Sequence, residues 1–63
     1  MPIEPRILRT PEAARYVGLS AATLELYRQW KKGPRFIHLT KRSIGYDRAD
    51  LDAWLKEKAN ASH

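Results

Sequence analysis

The stretch that decides the fold runs from Thr10 to Lys32 and reads TPEAARYV-GLS-AATLELYRQWKK. Its first eight residues open with Thr10-Pro11-Glu12, a helix start. Thr10 can cap, Pro11 suits the first helical position and Glu12 favours the positive end of the helix dipole. Ala13, Ala14 and Val17 supply a small apolar face, with Tyr16 beside it. Gly18 then ends the helix as a left-handed C-terminal glycine. Leu19 is a single buried link, and Ser20 is a second N-cap. A second helix is predicted from Ala21 to about Lys32. Leu24 and Tyr27 form its core side. Ala22, Glu25, Leu26 and Gln29 lie on the other side, with Ala21 and Arg28 at its margins. A short helix, a three-residue turn and a longer capped helix have the layout of a helix-turn-helix, in which the second helix lies in the major groove of DNA.

Downstream, Gly33-Pro34 breaks the second helix. Phe36-Ile37-His38-Leu39 and Ile44-Gly45-Tyr46 read as two strands joined by the polar turn Thr40-Lys41-Arg42-Ser43. Two strands alone are marginal in water, so the hairpin must lean on the helices. Asp47 caps a third helix, whose apolar stripe is Leu51, Trp54 and Leu55. Upstream, residues 1–9 form an extended arm with an edge-strand character at Ile7-Leu8. The predicted fold is mainly α with a small β-hairpin: a winged helix-turn-helix of three helices plus a wing. Its parts are an arm at 1–9, the domain at 10–58 and a frayed tail at 59–63.

Sixty-three residues accommodate one domain, and a chain this short buries only about 60% of its unfolded surface. It has no cysteine, so neither disulfide nor thiolate metal site reinforces it. His38 and His63 are too few for a structural zinc site, and His38 reads as a partly exposed strand residue. Trp30, Tyr46 and Trp54 are therefore assigned to the core. No apolar run approaches the roughly 20 residues of a membrane span, and no signal-peptide core is present. The expected location is the cytoplasm, and the Asn60-Ala61-Ser62 sequon reads as chance. No cofactor is implied. There is no glycine-rich phosphate loop and no convergent Ser/His/Asp set. Asp47, Asp50 and Asp52 are explained as caps and helix-start charges, so an enzyme is not expected.

Charge carries the functional reading. The formal net charge is +5. Residues 1–27 sum to zero and residues 47–63 to −1, while residues 28–46 hold Arg28, Lys31, Lys32, Arg35, Lys41 and Arg42 with no acid, giving +6. Such a concentration is the footprint of a polyanion-binding surface. On the second helix, Ser20, Ala21, Ala22, Thr23, Glu25, Arg28 and Gln29 are the candidate DNA-binding residues. The two alanines keep the helix narrow, and the capped N-terminus faces phosphate. Arg28 can reach a guanine edge or a phosphate, Gln29 can read adenine, and Thr23 can bond a phosphate. Arg28 can equally pair with Glu25. A carboxylate near phosphate is repelled unless it accepts from cytosine N4, so orienting Arg28 is the role assigned to Glu25. On the wing, Lys41, Arg42 and Ser43 are candidates for the minor groove or its flanking phosphates. Arg9, Thr10, Lys31, Lys32 and Arg35 are candidate phosphate contacts. A protein-interaction adaptor is the competing class, but it would not need the +6 segment.

The pattern Leu8-x-Thr10-x-Glu12-Ala13-Ala14, Gly18-Leu19-Ser20-x-x-Thr23-Leu24, Gly33-Pro34-x-Phe36 and Tyr46-x-x-x-Asp50-Leu51-x-Ala53-Trp54-Leu55 resembles the AlpA/excisionase-type proteins. These belong with the MerR-like winged helix-turn-helix domains. The resemblance extends from about Leu8 to Leu55. It implies a bacterial, nucleoid-associated regulator of phage or integrated-element type. Its partners would be double-stranded DNA, further copies of itself as a dimer or side by side, and, in the excisionase case, an integrase for which it bends DNA. By this resemblance the recognition helix maps onto Ala21 to Trp30 and the wing onto Leu39 to Ile44. Thr40 stands where the family usually has glycine. Tyr27-Arg28 stands where the family often has Trp before the basic residue.

Overall fold

The computed structural model describes residues 6–61. The first five residues of the expected arm, and Ser62 and His63 of the expected tail, lie outside that range. In chain order the elements are β1 (Ile7–Arg9), α1 (Thr10–Val17), α2 (Ala21–Gln29), β2 (Ile37–His38), β3 (Ile44–Asp47) and α3 (Arg48–Ala61). The three strands form one antiparallel sheet in the order β1-β3-β2. The fold is a winged helix-turn-helix.

The arm is what makes the hairpin viable. Ile7, Leu8 and Arg9 pair with Asp47, Tyr46 and Gly45, while Ile37 and His38 pair with Gly45 and Ile44 on the other side. β3 thus becomes a central strand, and the sheet gains the third strand that a lone hairpin lacks. The Arg48 amide donates to the Arg6 carbonyl at 2.9 Å, continuing this pairing into α3.

β1 runs straight into α1, which corrects the expected cap. Arg9 holds the extended cap position without a side-chain bond, and Thr10 is already helical. A helical residue cannot adopt the cap geometry that lets a hydroxyl reach back to the first amides. The other end follows expectation. Gly18 sits at φ 82°, and the amides of Gly18 and Leu19 donate to the carbonyls of Arg15 (3.3 Å) and Ala14 (2.8 Å). Ser20 then caps α2, its Oγ accepting from the Thr23 amide at 3.1 Å, with Thr23 Oγ1 2.8 Å away.

α2 stops at Gln29, three residues before the predicted Lys32. Trp30 is the cap, and Lys31 takes the left-handed conformation at φ 56°. The amides of Lys31 and Lys32 close on the carbonyls of Arg28 (3.2 Å) and Tyr27 (2.9 Å), the same double bond pattern that ends α1. Lysine does here what glycine does at Gly18. Gly33 meets a different need, since a Cβ there would lie 3.0 Å from Tyr27 Cβ.

The core is Leu8, Ala13, Ala14, Leu24, Tyr46 and Leu51, with Val17, Leu19, Ala21, Phe36 and Ile44 packed around it. Of the predicted α3 stripe Leu51 is buried and Trp54 and Leu55 are half-buried. Trp30 departs from its assignment to the core, being 56% exposed. The short α2 leaves it at the outer end of an aromatic ladder, its ring 6.3 Å from Tyr27, which in turn lies 6.2 Å from Trp54. Two polar ties fix α3. Trp54 Nε1 donates to the Lys32 carbonyl at 3.3 Å, and the Tyr16 hydroxyl donates to Asp52 Oδ1 at 2.6 Å. That bond to Asp52 holds the Tyr16 pKa above its ordinary value. α3 continues through Ala61, so Ala59 and Asn60 are helical.

Candidate nucleic-acid interface

Leu24 is fully buried and fixes the rotation of α2 about its axis. As a result Ala22, Glu25, Leu26 and Gln29 are exposed together, as the helical period requires. Ser20, at the N-terminal end, is also exposed. Ala21 and Thr23 are half-buried, and Ala21 packs on the core.

Arg28 is half-buried, and its partners correct the expected role of Glu25. Among the described residues its side chain pairs with Tyr46, Nη1 donating to the phenol oxygen at 3.3 Å, rather than with Glu25. Its Cζ also lies 5.9 Å from the centroid of the Phe36 ring, within cation–π range. Tyr46 is fully buried on the central strand. One arginine therefore joins α2 to the sheet that carries the wing.

The wing turn closes without glycine. Leu39 and Thr40 amides donate to the Ser43 carbonyl (2.8 and 3.4 Å), and the Ser43 amide donates to the Thr40 carbonyl (3.4 Å). Thr40 Oγ1 accepts from the Arg42 amide at 3.2 Å. Among the described residues Lys31 is the one non-glycine at positive φ, so no turn residue here needs glycine's freedom. The Thr40 hydroxyl supplies the local bond that stabilises the turn. Lys41 and Arg42 are exposed at its tip, and Ser43 is half-buried.

Three concavities border this surface. Arg9, Thr10, Pro11, Glu25, Arg28, Arg42 and Ile44 enclose one of about 220 Å³, drawn from β1, α1, α2 and the wing. Arg28 also lines the next, of about 230 Å³, with Lys31 and Arg35 beside Phe36. Lys31 and Lys32 line a third, of about 310 Å³, with Trp54, Glu57 and Lys58. The predicted residues that line these concavities fall into two groups, while Ser20, Ala21, Ala22, Thr23, Gln29, Lys41 and Ser43 line none of the three. Arg9, Thr10, Glu25, Arg28 and Arg42 converge, with Lys31 and Arg35 adjoining through Arg28. Lys32 lies on the α3 side. Tyr46 and Phe36, which hold Arg28, carried no functional assignment in the sequence. In the sequence their only signal is a phenol on a strand at the end of the basic run.

Among the described residues no group of three or more His, Cys, Asp or Glu side chains is placed to hold a metal, and no helix is long and apolar enough to cross a membrane. The surface offers hydrogen-bond donors and positive charge, which suit anion binding. No curated protein matches the chain. The family model of the helix-turn-helix domain matches residues 7–59, from β1 through most of α3. With its capped helix pair, its three-stranded wing sheet and that match, the chain belongs to the helix-turn-helix domain family, as a DNA-binding protein of that kind.

Proposed function

We propose that this protein is a sequence-specific transcriptional regulator that lays α2 in the major groove and its wing on the neighbouring minor groove. The observation that carries this reading is the convergence of Arg9, Arg28 and Arg42, from strand, recognition helix and wing, around one concavity beside the outward face of α2. In this reading Ser20, Ala21, Ala22, Thr23, Glu25, Arg28 and Gln29 lie along the base edges and the flanking backbone. Lys41, Arg42 and Ser43 hold the wing on DNA. Arg9, Thr10, Lys31, Lys32 and Arg35 hold phosphates. The protein binds rather than catalyses, and it works in the bacterial cytoplasm on the nucleoid.

The domain measures 36 × 32 × 17 Å, so one copy spans about one turn of DNA, roughly 34 Å. Specific recognition then calls for a dimer or for copies side by side. The Tyr46…Asp50-Leu51…Trp54-Leu55 element, resembling AlpA/excisionase-type and MerR-like proteins, favours a second reading inside DNA binding. That reading is a recombination directionality factor, which bends phage or integrated-element DNA for an integrase.

The test is selection of bound sequences from random DNA at stated salt, followed by mobility-shift titration. With about six phosphates neutralised, log K falls against log salt with a slope near −5. Lys41→Ala/Arg42→Ala weakens binding and reduces that slope by about 2. Undiminished affinity in both this variant and Arg28→Ala overturns the interface and favours the adaptor reading. DNA bending together with integrase-dependent excision decides for the directionality factor.

A further inference from the structure

We infer that Leu26 reads the 5-methyl group of thymine, so that thymine is preferred where α2 meets the target site. The inference rests on the reading of α2 as the major-groove helix.

Leu26 is 43% exposed, although it sits in the middle of a helix anchored by a fully buried Leu24. At about 100° per residue it points about 160° away from Leu24, along the crest of the outward face. Ala22 and Trp30 stand one turn before and after it, and both are exposed. A lone exposed leucine needs no explanation. Two apolar residues at i and i+4, Ala22 and Leu26, on the crest of a groove-entering helix, with Trp30 exposed just past its end, are a different matter.

At its centre the crest offers a base edge hydrocarbon, with the exposed polar side chains of Glu25 and Gln29 at its flank. The one basic side chain within α2, Arg28, is turned to Tyr46 and Phe36 on the wing side. The crest therefore lacks the Arg or Lys that would read guanine at its centre. Of the groups that base pairs display in the major groove, the thymine 5-methyl is the apolar one. The surroundings select DNA over a protein partner. The crest adjoins the acid-free segment from Arg28 to Tyr46, whose +6 charge complements flanking phosphates.

Deoxyuridine tests this directly, because it lacks that methyl and keeps every hydrogen-bonding group of thymine. Each thymine of the selected site is replaced in turn, and wild type and Leu26→Ala are titrated on each duplex. Leu26 is exposed and alanine is the better helix former, so the variant folds. The expected result is a loss of about 4-fold for wild type at one or two positions, the worth of one buried methyl-sized group. In Leu26→Ala the thymine–uracil difference disappears at those same positions. Tolerance of deoxyuridine everywhere overturns the inference, as does a difference that persists in Leu26→Ala. Equal binding to both bases with a changed oligomeric mass in Leu26→Ala also overturns it, and identifies the crest as a protein interface. If random DNA yields no selected sequence, the major-groove reading itself falls and takes this inference with it.

Discussion

The guanidinium of Arg28 on α2 is held by the hydroxyl of Tyr46 on the central strand, 3.3 Å away and 18 residues on. Phe36 backs the same guanidinium from the loop before β2. α2 and the wing sheet are therefore tied through a residue that, in the proposed reading, also contacts DNA. Tyr46→Phe keeps the buried ring and deletes the tie. DNA affinity should fall about 2- to 10-fold, because Arg28 must then be ordered at the moment of binding. Folding stability should drop by about 0.5–1.5 kcal/mol, the net worth of one hydrogen bond. The salt slope should stay unchanged, since no charge is removed. Mobility shifts at several salt concentrations and a urea melt check all three, and an unchanged affinity would show that the tie does not serve binding.

Lys31 is held at φ 56° to close α2. A left-handed L-residue costs about 1–2 kcal/mol, and glycine escapes most of that. Lys31→Gly should therefore raise unfolding free energy by about 1 kcal/mol, while lowering the salt slope of DNA binding by about 0.9 if Lys31 neutralises one phosphate. Opposite changes in stability and binding would mark strain retained for a charge at this position. A melt and a salt titration of one variant measure both.

The turn Gly18-Leu19-Ser20 was legible because each residue answers a local need: a left-handed position, an apolar plug and a cap acceptor. The end of α2 was not legible. The sequence shows glycine at 33, but the left-handed residue is Lys31, and Gly33 is required by the approach of Tyr27 Cβ. Trp30 lies outside the core for a related reason. Its helical position is marginal, and the packing of Trp54 against Tyr27 leaves it outside. Three residues of β1 carry too little periodicity to name a partner, and that partner begins 36 residues away at Gly45↔Arg9 by the register, beyond any local pattern. In the site, the exposed face of α2 followed from periodicity. The partner of Arg28 did not, because Glu25 is near in sequence and Tyr46 is near in space. At the wing, Thr40 replaces glycine's freedom with a hydroxyl bond, a substitution visible only in the turn itself.

Gly45 sits on the central strand between both neighbours. A Cβ there would meet Ile7 Cγ2 at 2.6 Å and Leu39 Cδ1 at 2.9 Å. Leu39 is 44% exposed and can swing away, but Ile7 is β-branched and stiff at χ1. Gly45→Ala should destabilise the fold by about 1–3 kcal/mol, as overpacking does. Thermal unfolding monitored by circular dichroism reads this as a lowered Tm, and an unchanged Tm would show that the sheet yields at β1.

Asp47 should give the fold an acid limb. Its Oδ1 accepts from the Ala49 amide at 2.9 Å and caps α3, and its Oδ2 accepts from Arg6 Nε at 2.9 Å. The amide bond first, and then Arg6, hold its pKa below the ordinary 3.8, against burial, which pushes it up. The unfolded chain therefore takes up this proton at a higher pH than the folded one does. The stabilisation is fully present above the unfolded value and is lost as pH falls through the lowered folded value. Asp47→Asn keeps an acceptor for Ala49 and removes the charge that Arg6 meets. Wild type should be the more stable protein at pH 7, and the gap between the two should narrow towards pH 3. Urea melts at the two pH values compare them, and the difference between variants cancels the titration of the other carboxylates. A gap of equal size at both would mean that Asp47 contributes through its shape and not through its charge.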